Sequence, residues 1–348
     1  MPNPAAQRFI AHRLLSLPAP ILRLMAGGGV VYQGGRTLDP RLQFLAAQAR
    51  NSAPMQTLSP PDARRASHEG LGLVAGEPEP DVAIESLSIE GPNGAIPLRS
   101  YRPAHQDPAA PLMVWSHMGG GVIGDLETSH VFCTILASCA RCPIVSVDYR
   151  LAPEHRYPAG LEDVLAAVRW ARANAERFGA PQGQVAVGGD SMGGGFAAIA
   201  CQEMRKAGEP QPALQLLVYP AVDVACQSAS MTTYAEAYPL SRALMEWFMR
   251  HYMGPQDNPA DPRLSPLAQK ELSGLAPAIV VTAGFDPLLD QGEAYARKLK
   301  AAGVPVVYRC YDSLVHGFVA FTGAAPCADV ACREIAGLVR EGFEGRIA

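Results

Sequence analysis

The stretch Gly189-Asp190-Ser191-Met192-Gly193-Gly194 limits the possible folds of this chain more than any other. Residues 184–188 before it form a short apolar run with the composition of a buried strand, and residues 195–206 after it read as a helix. Ser191 therefore falls on a tight strand-to-helix turn. Glycines two positions to either side suit a turn too sharp for side chains, which holds the serine in strained backbone geometry with its hydroxyl clear of the sheet. The bare pattern arises by chance in about one chain in ten of this length, so its weight comes from context. A serine displayed this way needs a base, an orienting acid and donors for developing negative charge.

The rest of the chain supplies a sheet to carry the turn. From Pro111 onward short apolar runs at 112–116, 144–148, 184–188, 214–219, 278–283 and 304–311 alternate with helical stretches at about 126–140, 160–178, 192–206, 290–302 and 326–343. Buried strands with intervening helices predict an α/β fold, a mostly parallel central sheet with helices on both faces. Residues 83–90 and 96–102, joined by Gly91-Pro92-Asn93-Gly94, predict a hairpin that adds antiparallel edge strands. Residues 1–80 read as helical and irregular segments without strands, with Thr37-Leu38-Asp39-Pro40 capping a helix through Ala49 and Ser59-Pro60-Pro61-Asp62 opening the next, short one. Residues 221–273 break the rhythm, having no strand but a helical stretch whose Leu244, Trp247, Phe248 and Tyr252 share one face. An insertion that follows a strand in such a fold is placed to roof a site at the strands' carboxyl ends. The expected organisation is a core formed by 81–220 and 274–348, with a helical cap drawn from 1–80 and 221–273.

With 348 residues, 48% of them hydrophobic, the chain can bury a large core. A net charge of -4 without any basic run speaks against nucleic acid or an anionic membrane surface as a partner and favours small neutral substrates. Near the start Arg8, Arg13, Pro18, Pro20 and Arg23 interrupt the apolar residues, so no signal peptide is expected, and no stretch has the length of a membrane span. Phe9, Ile10, Leu14, Leu15, Ile21, Leu22 and Met25 are expected to pack against the protein itself rather than on a membrane surface, because lysine-rich anchoring is missing. The eight cysteines are spread from Cys133 to Cys332, which points to a reducing, cytoplasmic compartment. Cys139 and Cys142 form a C-x-x-C at the end of a helix, where a thiolate gains nothing from the helix dipole, and read as ordinary half-buried thiols.

His316, in the loop after the last strand, can swing over the sheet edge toward the turn and is the expected base. His251, beside the aromatics of the 221–273 segment, is expected to pack there. Asp286 follows the preceding strand and is the favoured acid. Asp223, one strand earlier, is the rival with its own role in turning the chain, and Asp290 is expected to cap the next helix. One donor for the developing charge should be the amide of Met192; the others should come from His117-Met118-Gly119-Gly120-Gly121, whose glycines let the main chain approach a substrate.

These residues resemble the hormone-sensitive-lipase-like carboxylesterases of the α/β-hydrolase fold. The resemblance rests on HMGGGVIGDLE at 117–127, DYRLAPEHRYPAGLED at 148–163, GDSMGG, FDPLLDQG at 285–292 and VHGF at 315–318, in that order, and spans about 37–343. It implies Ser191 as nucleophile, Asp286 as acid, His316 as base, and Gly119, Gly120 and Met192 as oxyanion donors. It further implies hydrolysis of short acyl esters, a cap over the site and no cofactor or metal. The chain departs from the family pattern at Met118, where glycine is usual, and at Gly121, where an aromatic is usual. If Met118 sat where the backbone needs a positive φ, it would strain the loop and displace the donors, and a loop shifted by one residue would use Gly120 and Gly121 instead. Glu154 and His155 either support the turn from behind or hold their own loop. A ligand-binding protein without turnover, a lipase acting at interfaces and an amidase are the competing readings. The expected partner is a small-molecule ester, handled by a monomer or homodimer without membrane insertion.

Overall fold

A computed structural model describes residues 4–347. Eight strands form one sheet: β1 (Val82–Gly91), β2 (Gly94–Pro103), β3 (Leu112–Ser116), β4 (Ile144–Val147), β5 (Val185–Asp190), β6 (Gln215–Val218), β7 (Ala278–Phe285) and β8 (Val306–Val315). Their order across the sheet is β8-β7-β6-β5-β3-β4-β2-β1. All neighbours from β8 to β4 are parallel, and the hairpin β1–β2 joins the edge antiparallel to β4, as its turn predicts. The chain steps from β3 outward to β4, then returns past β3 to β5. This reversal leaves a crevice at the carboxyl ends of β3 and β5. Ser116 pairs with Gly189, so the loop that leaves β3 and the turn that leaves β5 start at the same height.

Alternation along the strands feeds two cores. Leu112, Val114, Val185, Val187 and Val280 face one side, with Met113, Trp115, Ala186, Ile279 and Val281 on the other. The first side is covered by α6 (Ala159–Ala173), α7 (Met192–Lys206) and α10 (Leu289–Ala301), the second by α5 (His130–Ala140) and α11 (Pro326–Phe343). The remaining helices are α1 (Pro4–Leu15), α2 (Ala19–Met25), α3 (Pro40–Ala49), α4 (Pro60–Val74), α8 (Ala229–Thr233) and α9 (Arg242–Tyr252). Asp39 and Ser59 cap α3 and α4 through side-chain oxygens that accept the amides of Arg41 and Asp62. No described helix is long and apolar enough to cross a membrane.

The structure corrects several expectations. The first 80 residues are not free of strands, since Tyr32–Gln33 pairs with Arg36–Thr37 in a short antiparallel ribbon closed by two glycines. Helix α5 starts at His130 rather than near 126, because Asp125 Oδ1 accepts the amides of Glu127 and Thr128 and ties that stretch into a turn. Strand β8 runs on to Val315, which pairs with Phe285 beyond an irregularity after Tyr311. Asp290 does not cap α10; it lies in the first turn and its Oδ2 accepts the amide of Ser230 at 2.8 Å, fastening α8 to α10. Of the seven apolar residues expected to pack inward near the start of the chain, only Leu15 and Leu22 are buried.

Candidate active site

Ser191 stands alone between β5 and α7, with φ 55° and ψ -118°. A Cβ at Gly193 would run into the carbonyl of Ser116, and one at Gly189 into the backbone of Gly193, so the close crossing of turn and strand excludes side chains at both positions. The turn is fixed by its own backbone: the Ser191 amide donates to Val218 O at 2.9 Å, and the Ser191 carbonyl accepts from Ala221 at 2.9 Å and Gly195 at 3.0 Å. The strained conformation persists because these bonds over-determine it. Helix α7 begins directly after the serine and directs the positive end of its dipole at the hydroxyl.

His316 follows β8 and places Nε2 2.9 Å from Ser191 Oγ. Its Nδ1 is 2.7 Å from Asp286 Oδ2, and the other carboxylate oxygen accepts the Leu288 amide at 2.8 Å. Because a carboxylate only accepts, Nδ1 carries the ring proton and Nε2 is left to take the proton of the serine hydroxyl. Asp286 is completely buried and His316 nearly so. Asp223 lines the cleft but bonds elsewhere, its Oδ1 accepting from the Ala225 amide at 3.0 Å in a local turn. His251 packs edge-on against Trp247 within α9, with ring centroids 4.5 Å apart.

The loop after β3 is anchored by its histidine. His117 is fully buried, stacked on Tyr149 at 4.2 Å, and its Nδ1 donates to the Met118 carbonyl at 2.7 Å. Burial pulls its pKa down to about 4, so it is a neutral structural pin. Gly119, Gly120 and Gly121 all have positive φ, whereas Met118 does not, and the strain expected at Met118 is absent. The Met118 sulfur instead lies over Gly317, beside His316. Gly119 and Gly120 line the cleft with Ser191 and Met192. Among the described residues the amides of these two glycines and of Met192 donate to nothing. Gly121 is turned under α9, where an added Cβ would lie 2.6 Å from the Tyr252 ring, so the shifted register would put one donor outside the cleft.

Three contributors escaped the sequence analysis. Tyr219, at the end of β6, has φ 34°, packs its ring on His316 with centroids 4.7 Å apart, and donates its hydroxyl to Asp190 Oδ2 at 3.1 Å. Asp190, inside the serine motif, is fully buried and also accepts from Ser129 Oγ at 3.3 Å; burial pushes its carboxyl up to about 7 against the pull of the Tyr219 hydroxyl. Arg64 of α4 donates to Val122 O and Ala152 O and pairs with Glu154, which ties the glycine loop to the 151–155 segment. Glu154 thus serves its own loop through Arg64. Only Asp190 lay in a recognisable motif, and its partners are set by tertiary contact.

Above these groups opens a cleft of about 1960 Å³, walled by residues from both the N-terminal 80 positions and 221–255 as well as the sheet's carboxyl ends. Seven methionines, among them Met118, Met245 and Met249, contribute to its lining and give it a soft apolar wall. Among the described residues no group of three or more His, Cys, Asp or Glu side chains is arranged to hold a metal ion.

Comparison with known proteins places relatives around this geometry. The sequence profile described as alpha/beta hydrolase fold matches residues 113–320. The chain is 43% identical over 312 residues to the carboxylic ester hydrolase LipN of Mycobacterium tuberculosis, covering 87% of this chain and 82% of the relative. It is 38% identical to the ethyl acetate hydrolase of Pseudomonas putida, covering 76% and 85%. Among solved structures, the ester hydrolase EH1AB1 from the metagenome of Lake Arreo superimposes with a TM-score of 0.84 at 40% identity, covering 88% of this chain and 99% of that one.

Proposed function

The chain belongs to the alpha/beta hydrolase fold family, in its hormone-sensitive-lipase-like branch, and from that premise we propose that Ser191, His316 and Asp286 cleave short- to medium-chain acyl esters through an acyl-enzyme. The protein is a carboxylic ester hydrolase. The observation that carries the residue assignment is the unbroken relay from Asp286 through His316 to Ser191, at 2.7 and 2.9 Å, beside three unengaged backbone amides.

In this scheme Ser191 Oγ attacks the ester carbonyl carbon while His316 Nε2 takes its proton, and Asp286 holds the imidazole in the tautomer that can do so. The carbonyl oxygen becomes an oxyanion that receives the amides of Gly119, Gly120 and Met192. Collapse breaks the bond to the alcohol, which leaves with the proton from His316. Water then repeats the sequence on the acyl-serine and releases the acid. The N-terminal segment and 221–273 act as a cap whose methionines accept acyl chains of varied shape. All of these groups come from one chain, so a monomer suffices. The eight thiols, none of them in a disulfide, support a reducing compartment such as the cytoplasm.

The test is hydrolysis of p-nitrophenyl esters from acetyl to palmitoyl by the wild type and Ser191→Ala. Turnover greatest at the shorter chains and lowered by roughly a million-fold in the variant is expected. Equal rates for the two proteins would remove Ser191 from the mechanism.

A further inference from the structure

The first two helices are built inside out. Of the ten large hydrophobic residues exposed among the described positions, eight lie between Phe9 and Tyr32. On α1, Phe9, Ile10, Arg13 and Leu14 fall within an arc of roughly 140° at the helical repeat, and all four are exposed. On α2, Ile21, Leu24 and Met25 form a second outward face, with Leu24 75% exposed. A surface helix normally turns its apolar stripe inward. Here the inward contacts include Leu15, Leu22, His12 beside Gly323 and the polar grip of Arg8, which donates to the carbonyls of Ala75 and Gly76 at 3.1 and 2.7 Å and pairs with Glu77 at 2.8 Å.

Charge is segregated in the same segment. Residues 1–38 carry four arginines and no acidic residue, in a chain whose net charge is -4. Arg13 stands in the middle of the apolar face of α1, 5.2 Å over the Phe9 ring, and is in no ion pair among the described residues, whereas Arg23 lies on the side of α2 away from Ile21, Leu24 and Met25 with its Nε buried. Apolar side chains with the Arg13 guanidinium set among them match a lipid surface, where hydrocarbon takes the former and an anionic headgroup the latter. A symmetric contact with a second copy would instead bring like charges together. The arm also leads to the site, for Ala26, Gly27, Gly28 and Val31, directly after α2, line the cleft.

We propose that α1 and α2 form a docking surface for anionic lipid, lying in the plane of the interface and bringing the rim of the cleft to it. That the cleft then draws apolar esters from the surface rests on the hydrolase reading; the docking itself does not, so the two can fail separately.

Flotation of the full chain with vesicles of phosphatidylglycerol and phosphatidylcholine, against phosphatidylcholine alone, tests it. The wild type is expected to float with the anionic vesicles. Phe9→Glu with Leu24→Glu should reduce the bound fraction at least roughly tenfold and Arg13→Gln roughly fivefold. Neither change touches the cleft, so hydrolysis of a soluble short-chain ester should stay at the wild-type rate and report that both variants are folded. Absence of flotation with either vesicle, or equal flotation with both, overturns the proposal. So does sedimentation of the wild type as a dimer that the double variant splits, which would assign the patch to a second copy.

Discussion

Ser191 and Tyr219 share a constraint that neither could sustain alone. Both hold positive φ, and the Ser191 amide bonds the residue just before Tyr219. Non-glycine residues in such conformations cost of order 1–3 kcal/mol each and persist where surrounding contacts fix them. For Tyr219 those contacts are the His316 ring and the buried Asp190 carboxylate, so its side chain props the imidazole from behind. Tyr219→Phe keeps the ring and removes the hydroxyl, leaving Asp190 with Ser129 as its remaining side-chain donor. Loss of that bond should cost about 1–3 kcal/mol of stability. It should also lower kcat several-fold with little change in KM, because neither group lines the cleft. Steady-state kinetics beside thermal melts would check this, and a large rise in KM at constant kcat would contradict it. That Ser191, Asp286 and His316 would lie close together was legible in the sequence, because each sits in the turn or loop that follows a strand. Tyr219 was not, since its partner lies 29 positions away and no local pattern marks the pair.

At the scale of elements, the glycine loop and α9 form one unit. The 3.6-residue spacing of Leu244, Trp247, Phe248 and Tyr252 made a buried face on α9 readable from sequence, and all four are buried. What that face covers was not readable, because the loop lies more than a hundred residues away. Phe248 sits against Gly120 and Tyr252 against Gly121, so the ring of α9 takes the space beside the glycine that replaces the family's aromatic. A Cβ at Gly120 would collide with Phe248 and would have to hold φ +62°. Gly120→Ala should therefore push the loop away from Ser191 and withdraw a backbone donor, a loss of about 2.7–4 kcal/mol in the barrier or roughly 10²–10³ in kcat. Adding Phe248→Ala relieves the collision but not the strained φ, so it should restore part of that activity. Active-site titration with a phosphonate would normalise the rates; a Gly120→Ala enzyme as fast as wild type would remove this amide from the oxyanion site. The opposite outcome occurs at α1 and α2, where Leu15 and Leu22 are buried but Phe9, Ile10, Leu14, Ile21, Leu24 and Met25 face outward. Periodicity reports a face, and only the rest of the fold decides which way it turns.

Across the whole molecule, the α/β class and the edge hairpin were written in the alternation of strands and helices, while the sheet order emerges only when the chain doubles back past β3. That reversal places two buried ionisable groups, Asp190 at the end of β5 and His117 just after β3, at adjoining strand ends, and they act oppositely on global stability. Burial raises the Asp190 pKa from 3.8 to about 7. The folded state then binds more protons than the unfolded one between these values, so the contribution is present at low pH and lost as pH rises through 7. Burial lowers the His117 pKa from 6.5 to about 4, so its contribution is present above 6.5 and lost as pH falls through 4. Shifts of this size correspond to about 3–4 kcal/mol each, and with opposite slopes they largely cancel between pH 4 and 7. Asp190→Asn should unmask the His117 slope. Urea unfolding from pH 4 to 8 should show the variant gaining on the wild type by about 3–4 kcal/mol as pH rises, despite any constant loss from the altered contact with Tyr219. A difference between the two proteins that stays constant with pH would mean that Asp190 titrates in the fold as it does in the unfolded chain, and that the Tyr219 and Ser129 hydroxyls fully offset its burial.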